Sequence, residues 1–319
     1  MYKYLFFLTA SAVPAAALAQ SSSEQALAEI IDRQDAEGAT PAAVYAPAAA
    51  PRDAAVITVT ANGLGTDLRN TGQSVTVIER DEIEQLQGAD PARALNRVPG
   101  LSLSRSGGIG RVTSVNLRGA SSDQVLVLID GVRVADQASP SGGFDFGNLL
   151  LGTAGKIDVL RGSNSTIWGS EAVGGVIDIS TRTDRGLSGS IEYGARDTVF
   201  ASAAAGAGND DVFIGLTGSL YETDGFSAAA SGNEADGSQQ FALGTTAFVN
   251  LTPSLELFAH GNFAEGEVEI DGFPAPAFVL ADTEDTQKTT RYWGDVGLAY
   301  YGNDLTLRAA YSRSDTERA

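Results

Sequence analysis

From residue 186 to the end of the chain, apolar side chains fall on alternate positions. Val212, Ile214, Leu216 and Leu220 are interleaved with Phe213, Gly215, Thr217 and Ser219. Leu255, Leu257, Ala259 and Phe263 stand against Glu256, His260 and Asn262, and Leu305, Leu307, Ala309 and Tyr311 against Thr306, Arg308 and Ser312. A period of two puts one apolar and one wet face on each strand. The connections alternate as well. After a tight turn at 194–198 come a short link at 206–210, a long one at 223–239, a short one at 252–254, a long one at 265–289 and a short one at 302–304. A soluble β-sandwich would share the strand pattern. Short turns at one end and long loops at the other favour a transmembrane antiparallel β-barrel.

Residues 66–183 have a different rhythm, that of a compact α+β domain. Residues 73–78 alternate as a strand, and residues 81–87 form a short helix. Asp90 and Pro91 open another, with an N-cap and a proline in the first turn, and Pro99-Gly100 stops it. Strands at 101–104 and 112–117 flank the glycine-rich loop RSGGIGR. That loop lacks the Lys-Ser/Thr ending and the spacing of a phosphate cradle, so it reads as a flexible apical loop. Residues 125–129 are an unbroken apolar run ended by Asp130-Gly131, which predicts a buried strand and a tight turn. Residues 157–160 run into Arg161-Gly162, and Gly174-Gly175 leads into a strand at 176–180.

The N-terminus precedes both rhythms. Lys3, an apolar core at 4–13 and the Ala17-Leu18-Ala19 site predict a Sec-type signal peptide over 1–19, cleaved before Gln20. Residues 20–52 are a tether; ten of the twenty residues 36–55 are Ala and three are Pro. The β-branched run at 53–61 then fits either the first strand of the next domain or a segment that adds to a partner's sheet edge.

Composition narrows the function. The net charge of −19, from 21 basic and 40 acidic residues, argues against nucleic acid as a partner. The absence of cysteine removes disulfides and thiolate metal sites. The sequence offers no nucleophile–base pair, so it does not read as an enzyme, and His260 reads as a polar residue on the lumen side of a strand.

Two blocks carry a family resemblance. Arg118, Gly119 and 125–133 match R-G-x5-V-L-V-L-I-D-G-V-R, and Arg161, Gly162, Ser165 and 168–176 match R-G-x-x-S-x-x-[YW]-G-S-x-A-[IV]-G-G-V. Both are similar to the plug domain of TonB-dependent outer-membrane receptors, most of all the vitamin B12 (cobalamin) subgroup. The resemblance implies an α+β plug at 66–183 inside a β-barrel of around 22 strands. About seven of those strands fall in 186–319, which would make this chain the N-terminal portion of a longer protein. It also implies a TonB box, carried by Val56, Ile57, Thr58, Val59 and Thr60, and the periplasmic energy-coupling protein TonB as partner. The location implied is the outer membrane of a Gram-negative bacterium.

By the same resemblance, Arg105, Ser106, Gly107, Gly108, Ile109 and Arg111 form a first apical plug loop facing the ligand, and Asp136, Ser139 and Phe144 a second. Substrate binds outside, TonB pulls on the box, and the plug rearranges without any reaction of the substrate. No cofactor is required. In the cobalamin receptors, carboxylates of the first two long loops hold calcium; Glu234, Asp236 and Asp271 occupy comparable positions, with Ser227 where a further carboxylate would stand. Cobalamin is the first expectation for the ligand and a ferric siderophore or haem the second. A passive porin or a signalling receptor is a weaker fit.

Overall fold

The computed structural model describes residues 58–59, 66–67, 72–136, 142–229, 232, 234–302 and 305–319. The signal peptide, the tether, Val56, Ile57 and Thr60 of the expected box, and Ser139 lie outside the described residues. From Val56 to Ala319 the chain is one unit. Within it β1 (Thr58–Val59) pairs antiparallel with β2 (Thr66–Asp67).

The plug follows. Its strands are β3 (Ser74–Glu79), β4 (Leu101–Arg105), β5 (Thr113–Leu117), β6 (Val125–Ile129), β7 (Val132–Val134), β8 (Ala154–Arg161) and β9 (Gly175–Thr181). Its α-helices are α1 (Arg80–Leu86), α2 (Pro91–Leu95) and α3 (Ser165–Trp168). Five strands form one sheet in the order β3-β8-β9-β6-β7, and only the β6–β9 pair is parallel. β4 and β5 make a separate hairpin that carries the glycine-rich loop.

The unbroken run of β6 has its cause in this layering. Val125, Val127 and Ile129 join the main core, while Leu126 and Leu128 join a second cluster with Leu160, Ala172 and Val176. A strand covered on both faces needs apolar residues at every position. Asp130 and Gly131 both have positive φ, 53° and 80°, which closes β6 onto β7 with a two-residue turn whose twist suits the ladder.

The wall is a seven-stranded antiparallel sheet in chain order, with β10 and β16 at its two edges. It runs through β10 (Gly186–Gly194), β11 (Thr198–Gly208), β12 (Val212–Thr223), β13 (Ser238–Thr252), β14 (Leu255–Gly272), β15 (Ala281–Tyr301) and β16 (Thr306–Arg318). Val212, Ile214, Leu216 and Leu220 are exposed on its outer face, while Phe213 and Tyr221 are buried on the inner one.

One expectation is corrected here. The connection placed at 265–289 is shorter, because β14 runs to Gly272 and β15 begins at Ala281. Above the lipid a strand needs no apolar face, so the alternation fades although the ladder continues.

Plug and wall share a core. Phe200, Tyr221, Ala242, Ala264 and Trp293 of the wall belong to the same buried cluster as Ile157, Val159 and Ile177 of the plug. The two approach closely at Gly152, where a Cβ would lie 2.7 Å from Ser219 Cβ and 2.8 Å from Ser202 Cβ. Only a residue without a side chain fits between those two strands.

Candidate functional site

The loops at 195–197 and 273–280 and the described residues of the loop at 224–237 lie at one end of the wall, and the glycine-rich plug loop reaches the same end. A cavity of about 350 Å³ opens there, between the plug and strands β10 to β12. Gly108, Ile109, Tyr193, Arg196, Tyr221 and Phe226 are among its lining. The Arg196 guanidinium stands 5.1 Å over the Phe226 ring. Gly108 brings the plug loop against that ring, its Cβ position 3.6 Å from Phe226 Cε1.

Two carboxylates of this lining, Asp90 and Asp236, are committed to arginines of the plug. Asp90 caps α2 by accepting from the Ala92 N–H at 2.9 Å. Its carboxylate is also held in a bidentate pair by Arg105, at 2.6 and 2.7 Å. Arg105 therefore buttresses the hairpin and does not reach the opening. Arg111, at the end of the loop, pairs with Asp236 of the first long outer loop at 2.8 Å, both side chains nearly buried. Gly108 and Ile109 are the residues of the expected first apical loop that line the cavity.

The expected second apical loop is placed differently. Asp136 is fully buried, and Phe144 is 6% exposed with the Arg291 guanidinium 4.9 Å from its ring centroid. Arg291, from β15, lies 3.3 Å from Asp136 Oδ2 and donates to the Asp145 carbonyl at 2.9 Å. Arg318, from β16, donates to Asp136 Oδ2 and, at 3.1 Å, to Asp145 Oδ2. Asp145 Oδ1 accepts the Thr113 and Gly147 N–H groups. Asp136 and Phe144 thus bind the plug to the wall instead of facing outward. Their partners stand 155 and 182 residues from Asp136 in sequence, so no local pattern marks them.

At the other end, His260 Nδ1 lies 2.6 Å from Asp295 Oδ1, and Arg308 donates to Asp295 Oδ2 at 3.3 Å while covering the Phe258 ring. His260 faces the inside of the wall, as its position in the alternation suggested.

The carboxylates named for calcium stand in separate hydrogen-bond sets. Asp236 takes Arg111 and the Ala228 N–H, Asp271 takes the Ala229 N–H, and Glu234 is exposed. Among the described residues no group of three or more His, Asp or Glu side chains is placed to hold a metal. Glu234 has its carboxyl pushed up, first by desolvation and then by the negative charge of Asp282, Glu284, Glu269 and Asp236.

Residues 67–176 match the family model of the TonB-dependent receptor plug domain. The vitamin B12 transporter BtuB of Vibrio vulnificus (strain CMCP6) is 37% identical over 176 residues, covering 53% of this chain and 28% of that protein. The alcaligin outer-membrane receptor FauA of Bordetella pertussis has the same fold, with a TM-score of 0.64 at 21% identity over 82% of this chain and 42% of its own. So does the ferric yersiniabactin uptake receptor FyuA of Yersinia pestis, with a TM-score of 0.60 at 18% identity over 78% and 41%. The chain spans less than half the length of each of these proteins. With a plug domain over residues 67–176 seated on a seven-stranded stretch of antiparallel wall, the chain is similar to the TonB-dependent receptors.

Proposed function

We propose that the full protein is an outer-membrane receptor that captures cobalamin at its outer face and admits it under the pull of TonB. The 37% identity to a vitamin B12 transporter carries this reading. The cavity supports it: Asp90 and Asp236 are held in ion pairs, and Ile109, Tyr193, Tyr221 and Phe226 line it together with a few charged groups. Such a lining suits a large, partly apolar ligand selected by shape and a few polar contacts. The second reading is a ferric siderophore. Arg93 and Arg196 at the same cavity would attract an anionic chelate, and the fold is shared with receptors named for alcaligin and yersiniabactin.

The test is growth. The full-length gene, placed in a cobalamin auxotroph lacking its own receptor, should restore growth on limiting cobalamin only when TonB is present. Tight binding of a ferric chelate with no binding of cyanocobalamin would overturn the first reading in favour of the second.

A further inference from the structure

The first long outer loop is held down by donors, and those donors occupy the places a metal would need. Asp236 Oδ2 is 2.8 Å from Arg111 Nη2 and accepts the Ala228 N–H at 2.8 Å. Asp271 Oδ2 accepts the Ala229 N–H at 2.7 Å, and Glu269 Oε2 accepts the Gly237 N–H at 2.7 Å. Asp282 accepts the Ser227 hydroxyl at 3.2 Å and the Glu234 N–H at 3.3 Å. Backbone N–H groups of one loop thus point at four carboxylates. Calcium takes about six to eight oxygens and is repelled by N–H dipoles aimed at the same atoms. Among the described residues no group of three or more acidic side chains is placed to hold a metal, so these four carboxylates make no cage. These residues do not fit calcium.

The cation at this place belongs to the plug. Arg111 follows the turn in which its own N–H donates to the Gly108 carbonyl, so it is rigidly joined to the loop that lines the cavity. Its contact with Asp236 is a close ion pair and not an aligned hydrogen bond, since Nη2 has no partner in donor geometry. A guanidinium that is largely out of water still supplies the positive charge the carboxylate requires. We infer that Arg111 takes the place of calcium in ordering the first long outer loop, so that ligand capture is independent of calcium and loop and plug are joined directly. The inference rests on this loop facing substrate, as in the proposed function. Its test uses no substrate, so the two can fail separately.

The measurement is amide hydrogen exchange of the full-length receptor in detergent, read in peptides covering 225–237. In the parent protein, exchange there should be the same with millimolar calcium chloride as with a chelator. Arg111→Met should speed it on the order of tenfold or more while leaving β9 unchanged, because the remaining buried carboxylate loses its counter-charge. Arg111→Lys, which keeps the charge, should recover part of the protection. If Arg111→Met fails to fold, Asp236→Asn removes the other partner with little change of shape and should show the same loss. Protection of 225–237 by calcium in the parent, or unchanged exchange in both Arg111→Met and Asp236→Asn, would overturn the inference.

Discussion

Arg291→Met removes the wall's most buried cation from the plug. The side chain is 3% exposed and makes four contacts: a 2.9 Å hydrogen bond to the Asp145 carbonyl, a 3.3 Å pair with Asp136, a 3.8 Å pair with the Asp145 carboxylate, and the Phe144 ring at 4.9 Å. Breaking a buried ion pair from one side costs roughly 3–5 kcal/mol, because the partner charge is stranded. Arg318 still reaches both Asp136 and Asp145, which sets the expectation at the low end, about 3 kcal/mol. At a urea slope of about 1–3 kcal/mol per molar, the plug's unfolding midpoint in the intact receptor falls by roughly 1–3 M. Exchange at β6, β8 and β9 amides against urea gives that midpoint separately from the wall. The double variant Asp136→Leu/Arg291→Met removes both charges and should recover most of the loss. A midpoint shift below about 0.3 M for Arg291→Met, or a double variant as damaged as the single, would refute the clamp.

Gly152→Val places a side chain where Ser202 and Ser219 leave no room, so the plug should lose about 1–3 kcal/mol in the same urea experiment. Burial, opposed by Lys156, raises the carboxyl of Asp158. A raised folded value means stability present below the unfolded value of about 3.9 and lost as pH rises through the folded one. Plug stability of Asp158→Asn, measured from acid toward neutral pH, should therefore gain on the parent; a gap that is flat or narrows would contradict this. Ile57→Pro or Val59→Pro should abolish uptake of labelled cyanocobalamin while surface binding persists, since proline removes a ladder donor. Uptake that survived either change would place the TonB contact elsewhere.

What could be read from sequence and what could not divide along physical lines. The run at 125–129 and the Asp130-Gly131 turn were legible because burial on both faces and positive φ each restrict residue type locally. The wall strands were legible wherever lipid demands an apolar face, as at Val212, Ile214 and Leu216, and lost where β14 and β15 continue beyond it. Asp136 and Phe144 were expected to face a ligand only because the family resemblance puts a second apical loop there. Their arginines arrive only with the sixth and seventh wall strands, and sequence spacing holds no trace of that meeting. Gly108 and Ile109 were found at the cavity, while Arg196, Phe226, Tyr193 and Tyr221 were missed because each sits in an ordinary strand or turn pattern.

The unequal lengths of the wall strands shape the entrance. β11 has 11 residues and β15 has 21. At about 3.3 Å per residue and a tilt near 45°, these rise about 26 and 49 Å, against a lipid band about 25 Å tall. Over these seven strands the rim is cut on a slant, with a parapet at β14 and β15 and a low sill at β10 and β11. The cavity lies beside the sill. A bulky particle approaching this stretch of rim would meet the parapet first. A small solute drifting along the membrane meets the sill and the aromatic lining behind it.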